Sequence, residues 1–417
     1  MELSWKLALK YLRGKHNESF FSFITVASIL GIVIGVMALI IVLSVMGGFQ
    51  KEIKDKILGV NAHIVVLKFG GGIKNYPSLI TKITSDPDVT GASPFILNQI
   101  LISSSSGVMG AIIRGIDPET IGNATRLPQY LVKGTLKNLD YPREVSTEEG
   151  QKIKVTGAVL GKELATNLGV TLGDLVTVIS PTGALSPVGV MPRMMQFQVQ
   201  GIFASGMYDY DSGLVLIGLK SAQKFFKMDH QITGIEVSVK DVERAPQIAE
   251  RLENKLGFPY YTRDWVEMNY NLFSALKLEK TVMILLLFLI ILVASFNIAS
   301  SLVMLVTDKR KEIAILKTMG AEPSLIRKTF IYTGAIVGGT GIIGGDILGL
   351  ISCWLLSKYH FIKLPSDIYY ITTIPVQIDP VTILLINIAA FVIIILAAIY
   401  PASRATKIRP AEILRYE

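Results

Sequence analysis

The chain has 417 residues, 50% of them hydrophobic, with a formal net charge of +8 and a mean hydropathy of +0.49. An ordinary water-soluble enzyme is seldom so apolar, and a lone cysteine, Cys353, excludes a disulfide framework. The positive charge gathers beside the apolar stretches, so membrane topology accounts for it better than nucleic-acid binding does.

Residues 1–19 are a basic segment carrying Lys6, Lys10, Arg13 and Lys15. Residues 20–50 follow without a single charge. They are too long for the apolar part of a signal peptide and lack a small-x-small cleavage pattern, so a retained transmembrane helix is expected. Residues 51–280 are a large polar block. Its two ends look alike. Strand patterning at 62–68 and 89–102 flanks a short helical stretch at 77–84. Strand patterning at 232–240 and 258–261 flanks 241–256, where Val242, Ala245, Ile248, Ala249, Leu252 and Leu256 make a helical stripe. Residues 51–102 and 221–263 therefore read as one split α+β subdomain. Residues 103–220, rich in Gly, Pro, Val and Ile, read as an inserted β-rich subdomain.

No Pro or Gly interrupts 264–307, so one helix of roughly 65 Å is expected to leave the domain and form the second span, 281–307. It either carries motion or only anchors the domain. A loop at 308–328 precedes the third span, 329–357, broken only by Asp346. A short segment, 358–380, leads to the fourth span, 381–403, and a basic tail, 404–417. Lys309, Arg310, Lys311, Lys317, Arg327 and Lys328 in the one loop, and Arg404, Lys407, Arg409 and Arg415 in the tail, place both termini in the cytoplasm. The expected fold class is an α-helical membrane protein with four transmembrane helices and a large extracytoplasmic α+β domain.

The usual chemical signatures are missing. There is no G-x-x-x-x-G-K-[ST] phosphate loop, no H-E-x-x-H and no G-x-S-x-G, and His16, His63, His230 and His360 are scattered. No catalytic, cofactor-binding or metal residues are expected. Asp209 and Asp211 fit a turn between strands better than a cation site. Asp346 falls near the outer interface, where a solvated position is expected rather than a proton relay. Gly31 and Gly35 in the first helix, and Gly334, Gly338, Gly341, Gly345 and Gly349 in the third, recur at close-packing spacing. For the third helix, packing within one protomer is expected. For the first, the groove is open to a second subunit or to lipid.

Residues 308–321 read DKRKEIAILKTMGA. Asp308 is a plausible helix cap, and Gly320 with Pro323 a stop. Ile313, Leu316 and Met319 make an apolar edge among basic residues. Such a helix either lies on the membrane surface or docks as a short lever into a cytoplasmic motor.

This segment resembles the E-[IV]-A-I-L-[KR]-T-[ML]-G-A signature of ABC-transporter permeases of the lipoprotein-releasing LolC/LolE family, related to macrolide-exporter and FtsX permeases. The resemblance covers nearly the whole chain. Ser22-Phe23-Ile24, Gly31, Gly35 and Leu43 to Phe49 are similar to the family's first helix, which usually reads S-V-M-N-G-F; Gly47 departs at the Asn. Met191-Pro192-Arg193, Phe197, Val199 and Ser205-Gly206-Met207-Tyr208 are similar to its outer domain, and Pro410 to Glu417 to its ending.

The resemblance implies a permease of the inner membrane of a Gram-negative bacterium. It implies a second permease copy, as a homodimer or a LolC/LolE-type heterodimer, and the mixed pattern of the outer domain points to the homodimer. It implies a separate LolD-like ATPase dimer that holds the ATP and Mg, with no cofactor in this chain. It implies triacylated lipoprotein substrates and a LolA-like periplasmic chaperone. A hand-off is physically required, because each lipid CH₂ left in water costs about 0.8 kcal/mol. By the same resemblance, Glu312, Ile313, Ile315, Leu316, Thr318, Met319 and Gly320 meet the ATPase. A loop at 180–196, with Ser186, Pro187, Val188, Gly189, Val190, Met191, Pro192 and Arg193, catches the chaperone; Met194 and Met195 stand where polar and basic residues commonly follow. Gly31, Gly35, Met46 and Phe49 face the substrate. Two other functions stay open. A macrolide-exporter-type efflux permease usually has its ATPase fused ahead of the first helix, where only 19 residues stand here. An FtsX-like signalling permease that regulates cell-wall hydrolases typically has a smaller outer domain.

Overall fold

The computed structural model describes residues 2–12, 19–146, 152–186, 189–359 and 373–410. In chain order, α1 (Glu2–Leu12) and the long α2 (Ser19–Val60) come first. Then follow β1 (Ile64–Lys68), α3 (Tyr76–Thr84), β2 (Val89–Ser103), β3 (Val108–Ile116), α4 (Ile121–Ala124), β4 (Leu131–Gly134), β5 (Arg143–Ser146) and β6 (Lys152–Gly161). The chain continues through α5 (Lys162–Asn167), β7 (Leu175–Ser186), β8 (Gly189–Phe203), α6 (Tyr208–Gly213), β9 (Leu214–Gly218), α7 (Leu219–Phe226), β10 (Gly234–Val239), α8 (Ala245–Leu256), β11 (Tyr260–Asp264) and α9 (Trp265–Met268). It ends with α10 (Tyr270–Asp308), α11 (Arg310–Thr318), α12 (Pro323–Tyr359) and α13 (Pro380–Thr406). Two units emerge: residues 1–50, 275–363 and 373–417 in one, and residues 51–274 in the other.

In the first unit, α2, α10, α12 and α13 are each long and apolar enough to cross a membrane. The glycines of α12 explain how they pack. A Cβ at Gly341 would overlap Ile32 of α2 and one at Gly345 would overlap Val36, while Gly349 lies against Ile40. Gly334 and Gly338 meet Ala398 and Ile394 of α13 in the same way. Small residues let helix backbones approach closely where lipid supplies no hydrophobic drive between helices. Packing of the third span within one chain is thus observed. α13 starts cleanly because Pro380 needs no N–H partner and the Asp379 carboxylate accepts from the Val381 and Thr382 N–H groups at 3.1 and 3.3 Å.

The second unit is built on a mixed sheet. Its strand order is β11-β1-β10-β2-β3-β9-β6-β8-β4, with β5 on β6 and β7 on both β2 and β8. α3 and α8 turn their apolar stripes, Leu79 with Ile83 and Ile248 with Leu252, inward. One buried cluster joins Ile64 of β1, Ile96 of β2, Val176 of β7, Phe197 of β8 and Ile235 of β10 with Ile83 and Leu252. The expected division at residue 103 therefore does not appear as two separate sheets. β2 is long enough to pair with β10 through its first half and with β3 and β7 beyond, so pairing runs through the composition boundary.

The expected unbroken helix from 264 is also corrected. Asp264 ends β11, and its carboxylate caps α9 by accepting from the Val266 and Glu267 N–H groups at 2.7 and 2.9 Å. The helix breaks at Asn269, whose side chain donates to the Trp265 carbonyl at 2.8 Å. α10 begins at Tyr270 and its 39 residues span about 58 Å. α2, with 42 residues, is longer and runs ten residues past the apolar stretch that marks it in the sequence.

Candidate functional site

The lever segment folds as α11. Asp308 is not its cap: it is the last residue of α10, and Lys309 occupies the cap position, with Lys309 Nζ 3.2 Å from Glu312 Oε1. At the other end Gly320 has φ 91°, and the Ala321 N–H reaches back to the Leu316 carbonyl at 2.9 Å, which closes the helix.

The two sides of α11 differ sharply. Ile313 is 1% exposed and packs, with Tyr11, Leu305, Ile326 and Phe330, in the core of the helical unit. Leu316 is half-buried. Ile315 is 49% exposed and Met319 79%, and Glu312, Thr318 and Gly320 are exposed beside them. Ile313 is thus removed from the set that a partner could touch, because a residue in the bundle core offers no surface. Lys317, singled out in the sequence only for its charge, donates from Nζ to the Thr406 and Ile408 carbonyls at 2.6 and 2.8 Å. These are carbonyls at the C-terminal end of α13, where a cation is favoured. Tyr11 of α1 stacks on Phe330 with ring centres 5.9 Å apart. Burial first, then the Glu312 carboxylate, push its phenol up to about 12. α11 is therefore bound on its inner side and bare on its outer side.

The stretch 180–196 lies in the β7–β8 hairpin. The ladder shifts register between Ser180 and Ala184 and resumes through Ala184↔Met191 to Ser186↔Gly189. Pro187 and Val188 lie outside the described residues, as do the side chains of Ser186 and Val190. Met191 and Met194 are each 63% exposed and Pro192 is exposed; Met191 pairs only with Ala184 of β7, while Met194 lies opposite Ile179, which also pairs with Leu101 of β2. Arg193 is half-buried, and its Nη1 donates to the Phe225 carbonyl in the last turn of α7 at 3.4 Å, an internal use of the one base in the loop.

On α2, Gly31 and Gly35 face α10 of the same chain, beside Asn297 and Ile290. Both are interhelical contacts of the protomer, with Gly35 buried and Gly31 half-buried. Met46 and Phe49 are half-buried. Met46 lines a cavity of about 200 Å³ with Ile40, Ser44, Lys280, Gln377 and Asp379. Gly48 is required beside it: a Cβ there would overlap the Pro375 carbonyl, and the Gln377 N–H donates to the Ser44 carbonyl at 2.9 Å. No cluster of metal-ligating side chains occurs among the described residues.

Comparison with known proteins fits this arrangement. The MacB-like periplasmic core domain matches residues 25–255, and the FtsX-like permease C-terminal region matches residues 284–410. A core domain set between the first span and a block of three further spans defines a class of membrane permeases. The lipoprotein-releasing system transmembrane protein LolC of Xylella fastidiosa is 40% identical over all of this chain and 99% of its own. LolC of Neisseria meningitidis is 34% identical, covering 99% of this chain and 98% of its own, and LolE of Haemophilus influenzae is 28% identical with the same coverage. The chain belongs to the lipoprotein-releasing LolC/LolE family of these permeases.

Proposed function

We propose that the chain is the permease subunit of an ABC transporter that lifts lipoproteins from the outer leaflet of the inner membrane and passes them to a periplasmic chaperone. ATP and Mg are bound and used by a separate LolD-like ATPase dimer, which grips the outer side of α11. Both termini and α11 face the cytoplasm, and the sheet domain faces the periplasm. The β7–β8 hairpin receives the chaperone through Met191 and Met194. The cavity at Met46 admits part of the lipid anchor.

The observation that carries this reading is the two-sidedness of α11. Ile315 and Met319 stand bare on a helix whose inner side is fixed by Ile313 and Lys317. Exposed large apolar side chains on a rigid seat suit a partner groove. Replacing both, Ile315→Asp with Met319→Asp, is expected to abolish co-purification of the ATPase while the sheet domain stays folded. Undiminished co-purification would remove α11 as the grip. In cells, depletion of the chain is expected to strand lipoproteins in the inner membrane.

A further inference from the structure

The run Ser205-Gly206-Met207-Tyr208-Asp209-Tyr210-Asp211 has no part in the lever, the hairpin or the first-helix cavity. Asp211 is buried although charged. Its Oδ1 accepts from the Ser205 N–H at 2.7 Å and the Ser205 hydroxyl at 2.8 Å, and its Oδ2 accepts from the Gly206 N–H at 3.0 Å. The carboxylate therefore serves a turn, in which Gly206 adopts φ 75°. The turn presents two acceptors. The Gly206 carbonyl takes Lys56 Nζ at 3.2 Å, and the Tyr210 hydroxyl oxygen takes Asn61 Nδ2 at 2.5 Å.

Lys56 and Asn61 mark the C-terminal end of α2, and that end is held on its other sides too. The Arg126 N–H donates to the Gly59 carbonyl at 3.1 Å, and Arg114 Nη1 donates to the Val60 carbonyl at 3.2 Å. A Cβ at Gly59 would overlap the Tyr130 hydroxyl, so this last turn packs closely on that side chain. Leu58 and Val60 are buried in two different apolar clusters. The last carbonyls of a helix lack intrahelical donors, and here a cation and a backbone N–H supply them. Arg114 is paired in turn with Glu236 of β10, both buried. Arg114 Nε and Glu236 Oε2 have no partner among the described residues. A buried pair so incompletely bonded is poor evidence of added stability, but it ties the end of α2 to β3 and β10.

We infer that Arg114, Tyr210 and the Asp211-held turn form a rigid socket for the end of α2, so that a displacement of that helix is delivered to the sheet instead of being lost in a loose joint. The inference rests on the chain being an ATP-driven lipoprotein-releasing permease. None of the three touches nucleotide or lipid in that scheme. They are positioning residues, acting through Val60, Asn61 and Lys56.

The test uses the full chain with its ATPase and any second permease in lipoprotein-loaded proteoliposomes, with chaperone outside. Tyr210→Phe keeps the ring and removes the acceptor. ATP hydrolysis is expected to stay unchanged while lipoprotein transferred per ATP falls about five-fold, the factor set by one hydrogen bond of about 1 kcal/mol. The pair Asn61→Cys with Tyr210→Cys, joined by a short bifunctional thiol reagent, is expected to lose that ratio before crosslinking and regain it afterwards. A merely structural role would lower hydrolysis and transfer together. That outcome, an unchanged ratio in Tyr210→Phe, or no recovery on crosslinking overturns the socket. A native chain that supports hydrolysis yet transfers no lipoprotein overturns the transporter reading instead.

Discussion

Single residues carry much of the packing. Gly345 of α12 sits where a Cβ would overlap Val36. Gly345→Val is expected to destabilise the helical unit by about 1–3 kcal/mol, the usual cost of overpacking, read as a lower midpoint of thermal unfolding in detergent. The four-residue spacing of these glycines was legible in the sequence, and so was their role within one chain. For Gly31 and Gly35 it was not, because spacing marks a close approach without saying which helix approaches. His63 gives a second residue-scale prediction. Its Nδ1 accepts from the Val239 N–H at 3.0 Å, which requires the neutral ring. Burial, with Arg126 nearby, holds its pKa below the ordinary 6.5. As pH falls below 6.5 the unfolded chain takes up the proton first, so folding is progressively penalised until the folded pKa is reached. Thermal stability is expected to drop between pH 7.5 and 5.5, and a His63→Gln chain is expected to lose that dependence.

At the scale of elements, α11 shows what a helical pattern does and does not reveal. Its stop and charge were readable, and its start is expected at Asp308, one residue ahead of the observed cap, but it has two apolar edges. Ile313 and Ile315 point to opposite sides, and only the surrounding bundle decides that Ile313 goes inward. Lys317 illustrates the same limit, since its partners lie some ninety residues on, at the end of α13. Lys317→Met is expected to cost about 1.5–3 kcal/mol, the scale of a charged hydrogen bond, measured by thermal unfolding of the detergent-solubilised chain. The break before α10 was missed although a signal was present: Asp264 with Glu267 three residues on has the spacing of a helix N-terminus, and Asn269 ends that short helix. For the hairpin, Met191→Ser with Met194→Ser is expected to weaken crosslinking to the periplasmic chaperone while ATP hydrolysis persists. Equal crosslinking would remove these two side chains from the contact.

For the whole molecule, the four apolar helices were plain because spanning a bilayer demands long uncharged runs. Strands at both ends of the sheet domain were legible as well, from β-rich composition and, over 232–240, from alternation, although the last, expected at 258–261, runs Tyr260–Asp264. Their union into one sheet was not, since pairing partners distant in sequence leave no local trace. Stoichiometry belongs to this scale. The mass of the purified complex is expected to equal two copies of this chain with two ATPases; a second, different permease chain would refute the homodimer.

The position of β1 has a consequence for biosynthesis. Its ladder partners are β10 and β11, which begin at Gly234 and Tyr260. A nascent chain thus holds Ile64, Val65 and Val66 unpaired until roughly 170 further residues, up to β10, have left the ribosome. Contacts so remote form slowly. The earliest strand to be made is among the last to be covered, and an apolar strand left uncovered is open to aggregation meanwhile.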